Sequence, residues 1–186
     1  MTHLELKNKV LALIEELNPT NPARTDDPDI ALKYNDVANQ ILYELARIKR
    51  LPKYVEMDVQ AGDLVTFQEI ESAVGYEVFQ IGLVSGAKHQ QKANGTVYKV
   101  LEDGVLEVDC FVYPERITAN TKDNFELELS PDVLEIAPYG IAADLLKSDM
   151  SAEYGSIYAT RYESMLQRLD PRYAMTNITI EGGWSF

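Results

Sequence analysis

Apolar residues recur at helical spacing in the first and last parts of the chain and at every second position in between. The pattern therefore predicts helices flanking a β-rich middle. In MTHLELKNKVLALIEELNPTNP, Leu6, Val10, Leu13, Ile14 and Leu17 make one buried stripe, Thr2 and Glu5 can form a capping box, and Pro19 and Pro22 end the element. This predicts a helix over roughly residues 3–17. The next stretch, TDDPDIALKYNDVANQILYELARIKRLP, gives the strongest helix signal. Asp27 suits the N-cap, Pro28 the first helical position, and Asp29 the positive helix end. Its stripe is Ile30, Tyr34, Val37, Ile41, Leu45 and Ile48, thickened by Ala38 and Leu42, and Pro52 closes it.

The period then changes. KYVEMDVQAGDLVTF alternates around a Gly-Asp turn, and YEVFQIGLVSG reads as a further strand. AKHQQKANG reads as a polar loop tip. TVYKVLEDGVLEVDCFVYP reads as a hairpin on Asp103-Gly104, placing Leu101 near Leu106 and Val97 near Cys110, with Glu107 and Asp109 on the wet face. About five strands are expected, as a small antiparallel sheet or barrel. Beyond the NTKDN turn, Phe125, Leu127 and Leu129 alternate with Glu126 and Glu128. Helix then restarts at Ser130-Pro131, is interrupted at Pro138, and resumes in SAEYGSIYATRYESMLQRLD with a stripe of Tyr154, Ile157, Tyr158, Tyr162, Met165 and Leu169.

The expected fold class is thus α+β: a bundle of about four helices (residues 1–52 and 114–171), an inserted β module (53–113) and an extended C-terminal tail (172–186). The two outer helix pairs each carry an apolar face and are expected to cover each other. The tail, RYAMTNITIEGGWSF, is unusually apolar for a chain end. MTNITI alternates and can add to a sheet edge, Gly182 and Gly183 allow close backbone approach, and Trp184 is an interface-anchoring type. Docking on another chain is the reading taken, against folding back on its own bundle.

Charge sharpens this picture. The net charge is −13 and unevenly spread: residues 1–52 hold 7 basic and 8 acidic side chains, residues 53–130 hold 6 and 14, and residues 131–186 hold 4 and 8. An acidic middle repels phosphate, which argues against sequence-reading of nucleic acid but suits a wall that DNA slides past. Arg47, Lys49 and Arg50 crowd the negative end of the second helix, where they complement its dipole or contact an acidic partner. The single cysteine, Cys110, excludes an internal disulfide and reads as an apolar filler. His3 and His89 have no ligand-type neighbours, so neither a metal nor any other cofactor is assigned. No signal pattern and no membrane-length apolar run are present, which points to a soluble protein made in a cytoplasm.

Catalytic signatures are missing: GxSxG, GxGxxG, a phosphate-binding Gly-Lys-Ser/Thr loop and HExxH do not occur. The expectation is a non-enzyme, with no catalytic residue assigned; a small hydrolase with scattered carboxylates is the weakest reading. An alternative from another class is a carbohydrate-binding accessory module using Tyr76, Phe79 and Tyr98 of the β module.

PYGIAADLLKSDMSAEYGSIYATRYESMLQRLD, followed by ITIEGGWSF, resembles the head–tail adaptor (connector, head completion) proteins of tailed bacteriophages. Those proteins show a Pro-Tyr-Gly-led helix, an AADLLKSD segment, an alanine/tyrosine helix and an isoleucine–Gly-Gly tail. DVANQILYELARIKRLP is similar to their second helix, and YPERIT resembles their sheet-exit segment, so the likeness touches residues 27–50 and 113–183. The resemblance implies a structural virion protein at the capsid–tail junction, made in the host bacterial cytoplasm. It implies a closed ring of identical copies, commonly a dodecamer, beneath the portal protein and above a downstream tail or stopper protein. DNA would pass through the channel without sequence recognition, and no membrane would be involved. Carried onto this chain, the portal- or neighbour-binding residues are Ile178, Ile180, Gly182, Gly183, Trp184 and Phe186, with Arg47, Lys49 and Arg50 as a secondary contact. The Trp-Ser-Phe ending departs from the shorter aliphatic endings of the family, which leaves the receiving pocket open.

Overall fold

The computed structural model describes residues 1–18, 20, 24–92, 97–148 and 152–169. Along the chain run α1 (His3–Leu13), α2 (Pro28–Ile48), β1 (Leu51–Val59), β2 (Leu64–Thr66), α3 (Phe67–Val74), β3 (Val78–Gly86), β4 (His89–Lys92), β5 (Val97–Val100), β6 (Gly104–Val112), α4 (Pro131–Leu134), α5 (Ala137–Leu145), a 3₁₀ turn (Leu146–Ser148) and α6 (Ala152–Leu169). The fold is α+β.

The capping chemistry operates as the sequence predicts at both early helices. Thr2 and Glu5 form the reciprocal capping box of α1, and the Asp27 carboxylate accepts from the amides of Asp29 and Ile30 at the start of α2. α1 nevertheless ends earlier than residue 17. Glu15 adopts φ 62°, and the amides of Glu15 and Glu16 bond back to the carbonyls of Ala12 and Leu11, so a left-handed cap closes the helix before the prolines are reached.

α5 is the centre of the helical part. Ala137, Pro138, Gly140, Ile141, Ala142, Ala143 and Leu145 are all buried, and α1, α2 and α6 each pack on this one helix. A helix apolar on every side can exist only when surrounded, and small residues let its neighbours come close. Gly140 shows how close: a Cβ there would lie 2.8 Å from the Tyr162 ring and 3.1 Å from Ile41. The early and late helices thus share one core, which runs from Leu6 and Val10 through Tyr34, Leu42 and Leu45 to Leu134, Tyr162 and Leu166.

The β region forms two three-stranded antiparallel sheets, β1-β6-β3 and β2-β5-β4. They share a core of Val59, Val65, Tyr98, Val100, Leu106 and Val108, closed by Ile70 of α3. Three details depart from the sequence reading. First, Asp103-Gly104 is not a hairpin turn. Instead Lys92 pairs with Val97, and β3 and β4 run antiparallel to β6 and β5 as the arms of one long bent hairpin that contributes strands to both sheets. Gly104 does not take the positive φ that a primed turn needs, and the Asp103 carboxylate instead accepts from the Ala61 amide. The expected neighbours are therefore apart: Val97 pairs with Thr66 and Lys92, while Cys110 pairs with Lys53 and Ile81. Second, His89–Lys92, read as loop tip, is strand β4. Third, α3 lies where no helix is expected, although Thr66 and Glu69 make a second capping box.

The hairpin bends at Gly86. Its φ is 85°, and a Cβ would lie 2.2 Å from the Val105 carbonyl oxygen, so backbone approaches backbone where a side chain has no room. Leaving the sheets, the chain runs extended through Leu127 and Leu129, both buried, with Thr2 and Glu126 forming an isolated bridge.

Candidate functional site

The three cations at the end of α2 are exposed, and each makes a contact at the junction between helices and sheets. Arg47 Nε donates to the Tyr113 hydroxyl, and its guanidinium lies 5.3 Å from that ring. Tyr113 in turn stacks on Tyr43 at 4.3 Å. Arg50 sits 4.8 Å over the Phe111 ring, and Lys49 pairs with Asp132 at 3.4 Å. These contacts tie α2 to the exit of β6 and the start of α4. Arg47 and Arg50 are engaged within the chain; Lys49 keeps about half of its side chain in solvent (48%).

The residues expected to meet a partner, Ile178, Ile180, Gly182, Gly183, Trp184 and Phe186, lie outside the described residues. The element that leads to them is α6. Its buried face is Gly155, Tyr162 and Leu166, with Tyr158, Met165 and Leu169 half-buried, and Tyr158 donates to the Leu13 carbonyl. Tyr154 and Ile157, expected in the packing stripe, instead stand in solvent at 64% and 58% exposure. The reason is rotational. Gly155 and Gly140 allow α5 and α6 to approach closely along one line, and that line turns positions 154 and 157 outward. Ile157 borders an open groove with Thr160, Arg161, Met165 and Arg168.

The aromatic residues of the alternative reading do not form a platform. Tyr98 is buried in the core between the sheets, and Phe79 packs against Phe111 and Tyr113. Tyr76 donates to Glu128, with Lys53 lying 4.2 Å over its ring. Cys110 is buried beside Val78 and Val112, where desolvation pushes its thiol pKa up, so it fills space as expected.

What the sheets display outward is charge, sorted by sign. On β1 and β6 the side chains alternate between core and solvent, so Tyr54, Glu56 and Asp58 share the outer face with Val105, Glu107 and Asp109. Glu56 lies directly opposite Glu107, and Tyr54 opposite Asp109. The Tyr54 hydroxyl donates to Glu56 at 2.8 Å and Ser85 donates to Glu107 at 2.9 Å. The bond to Glu56, together with the negative charges of Glu107, Glu56 and Asp109, holds the Tyr54 phenol up at about 12. On the other sheet Val65, Tyr98 and Val100 point inward, which leaves Leu64, Lys99 and Gln90 in one outward row and Thr66, Val97 and Lys92 in the next. β2, β4 and β5 contain lysines and no carboxylate.

Among the described residues no group of three or more His, Cys, Asp or Glu side chains is arranged to hold a metal ion, and no helix is long and apolar enough to cross a membrane. No family model and no curated protein sequence matches the chain.

Proposed function

We propose that this protein is a structural component of a tailed-bacteriophage virion, a head–tail adaptor. It assembles as a homo-oligomeric ring, expected to be dodecameric, beneath the portal protein, extends the DNA channel, and joins the capsid to the downstream tail or stopper protein. It acts through contacts rather than chemistry and has no enzymatic role.

One observation carries the reading: the segments that resemble adaptor proteins are those on which the helical part is built. PYGIAADLL is α5, the helix on which α1, α2 and α6 pack, and its glycine admits the Tyr162 ring of α6. YPERIT supplies Tyr113, which holds Arg47, and Ile117, which is clasped by Asn39 of α2. A likeness confined to surface positions would say little. One that falls on the packing centre speaks for a shared architecture. The exposed Tyr154 and Ile157, on the helix that leads into the apolar C-terminal segment, add surface of the kind that meets another chain.

The test is deletion of residues 175–186, followed by co-sedimentation with purified portal protein. The full chain is expected to attach to the portal as a ring, and the shortened chain to lose attachment while its thermal unfolding midpoint is unchanged. Attachment that survives the deletion overturns the assignment of the tail. A full chain that neither forms rings nor binds portal overturns the adaptor reading itself.

A further inference from the structure

We propose that the two outer faces of the β module dock on each other between neighbouring copies of this chain, the acidic face of β1-β6-β3 in one copy against the lysine-bearing face of β2-β5-β4 in the next. This rests on the ring reading above and names the surfaces that build the ring.

The two faces point in opposite directions, because the sheets to which they belong pack inward on one shared core. Each face combines charge with exposed apolar surface: Tyr54 and Val105 are 54% and 40% exposed among Glu56, Asp58, Glu107 and Asp109, and Leu64 is 55% exposed beside Lys99. On the acidic face Tyr54 and Val105 flank the central Glu56–Glu107 pair, so apolar surface that another chain can bury lies on either side of the charges. None of these four carboxylates forms an ion pair among the described residues, and neither do Lys92 and Lys99.

Glu56 directly opposite Glu107 is an unfavourable cross-strand pair in an isolated sheet. Lysine ammonium groups from outside relieve that repulsion, and the acidic face gains little from nucleic acid. Two different, complementary patches on opposite sides of one body make a heterologous contact, which repeats from copy to copy and closes into a ring when the rotation allows. Sign sorting also sets the direction of the ring, since acidic on acidic and lysine on lysine repel.

The experiment uses full-length chains carrying Glu107→Lys/Asp109→Lys, Lys92→Glu/Lys99→Glu, or all four changes. Assembly is followed by sedimentation velocity, alone and with portal protein, and circular dichroism confirms the fold of each chain. The native ring is expected to weaken as salt rises. Each double variant should need at least about tenfold more protein to assemble, because like charges then meet across every contact. An equimolar mixture of the two double variants should recover assembly by alternating, and the fourfold variant, with the charges at these four positions exchanged, should assemble by itself.

Double variants that assemble like the native chain, or a mixture that stays dissociated, overturn the proposal while the adaptor reading stands. Variants that form normal rings but lose a portal or tail protein place a different partner on the acidic face and overturn it likewise. A native chain that never assembles, with or without portal, removes the adaptor reading and this inference together.

Discussion

Asn39 and Ile117 hold each other by a two-way hydrogen bond: the Asn39 side-chain amide donates to the Ile117 carbonyl at 2.8 Å, and the Ile117 amide donates to Asn39 Oδ1 at 2.8 Å. Both residues are buried, so neither side has water as an alternative partner. One side chain on α2 thereby does for the segment leaving the sheets what a neighbouring strand does for a strand. It holds the segment flat against the helix with both of its polar groups satisfied.

Replacing Asn39 by Ala should leave a buried donor and a buried acceptor without partners. The expected cost is about 2–4 kcal/mol, since each orphaned group loses its solvation with no return. Urea unfolding measures the loss. Hydrogen exchange at the Ile117 amide should quicken well beyond the global change, because the local clasp is what protects it.

Gly86→Ala should be among the most damaging single-methyl additions in the β module. The new Cβ would meet the Val105 carbonyl oxygen, a backbone atom that cannot rotate away, and the residue would be strained at φ 85°. A loss of more than about 2 kcal/mol is expected from clash and strain together. The measurement is the thermal midpoint, compared with Gly62→Ala, whose Cβ would meet nothing although its φ is also positive.

His3 makes stability depend on pH. Burial pushes its pKa below the ordinary 6.5, the Lys7 charge adds to that push, and Asp123 opposes it. The unfolded chain therefore binds this proton more readily than the folded one. The contribution is complete above about pH 6.5 and is lost as the pH falls from there through the lower folded value. His3→Phe should flatten this part of the profile, seen as a smaller difference between unfolding free energies at pH 7.5 and 5.5. An unchanged slope would count against the buried neutral imidazole.

Much of this architecture was legible in the residues. Period and capping placed α1, α2 and α6, because side chains three and four positions apart and a few cap atoms settle the matter locally. Alternation likewise placed Glu107 and Asp109 in solvent. The hairpin was misread because Asp-Gly is a strong local turn signal. The competing arrangement pairs residues far apart in sequence, β6 with both β1 and β3, and no local rule sees that pairing. α3 was missed although its capping box, Thr66 with Glu69, stands in the sequence. The clasp of Asn39 on Ile117 spans 78 residues and had no local signature.

The sequence by itself determined the types of the long helices and of the alternating strands, the α+β class and the acidic character of the middle of the chain, because these depend on short-range sterics, periodicity and charge count. Only the tertiary structure decided that α5 is the hub of the helices, that Tyr154 and Ile157 face solvent, that Arg47 and Arg50 serve the chain's own aromatics, and that acid and lysine part to opposite faces of the β module. Each of those depends on how elements rotate and approach one another. Contacts between distant residues settle that free energy, and the order of residues along the chain does not display it.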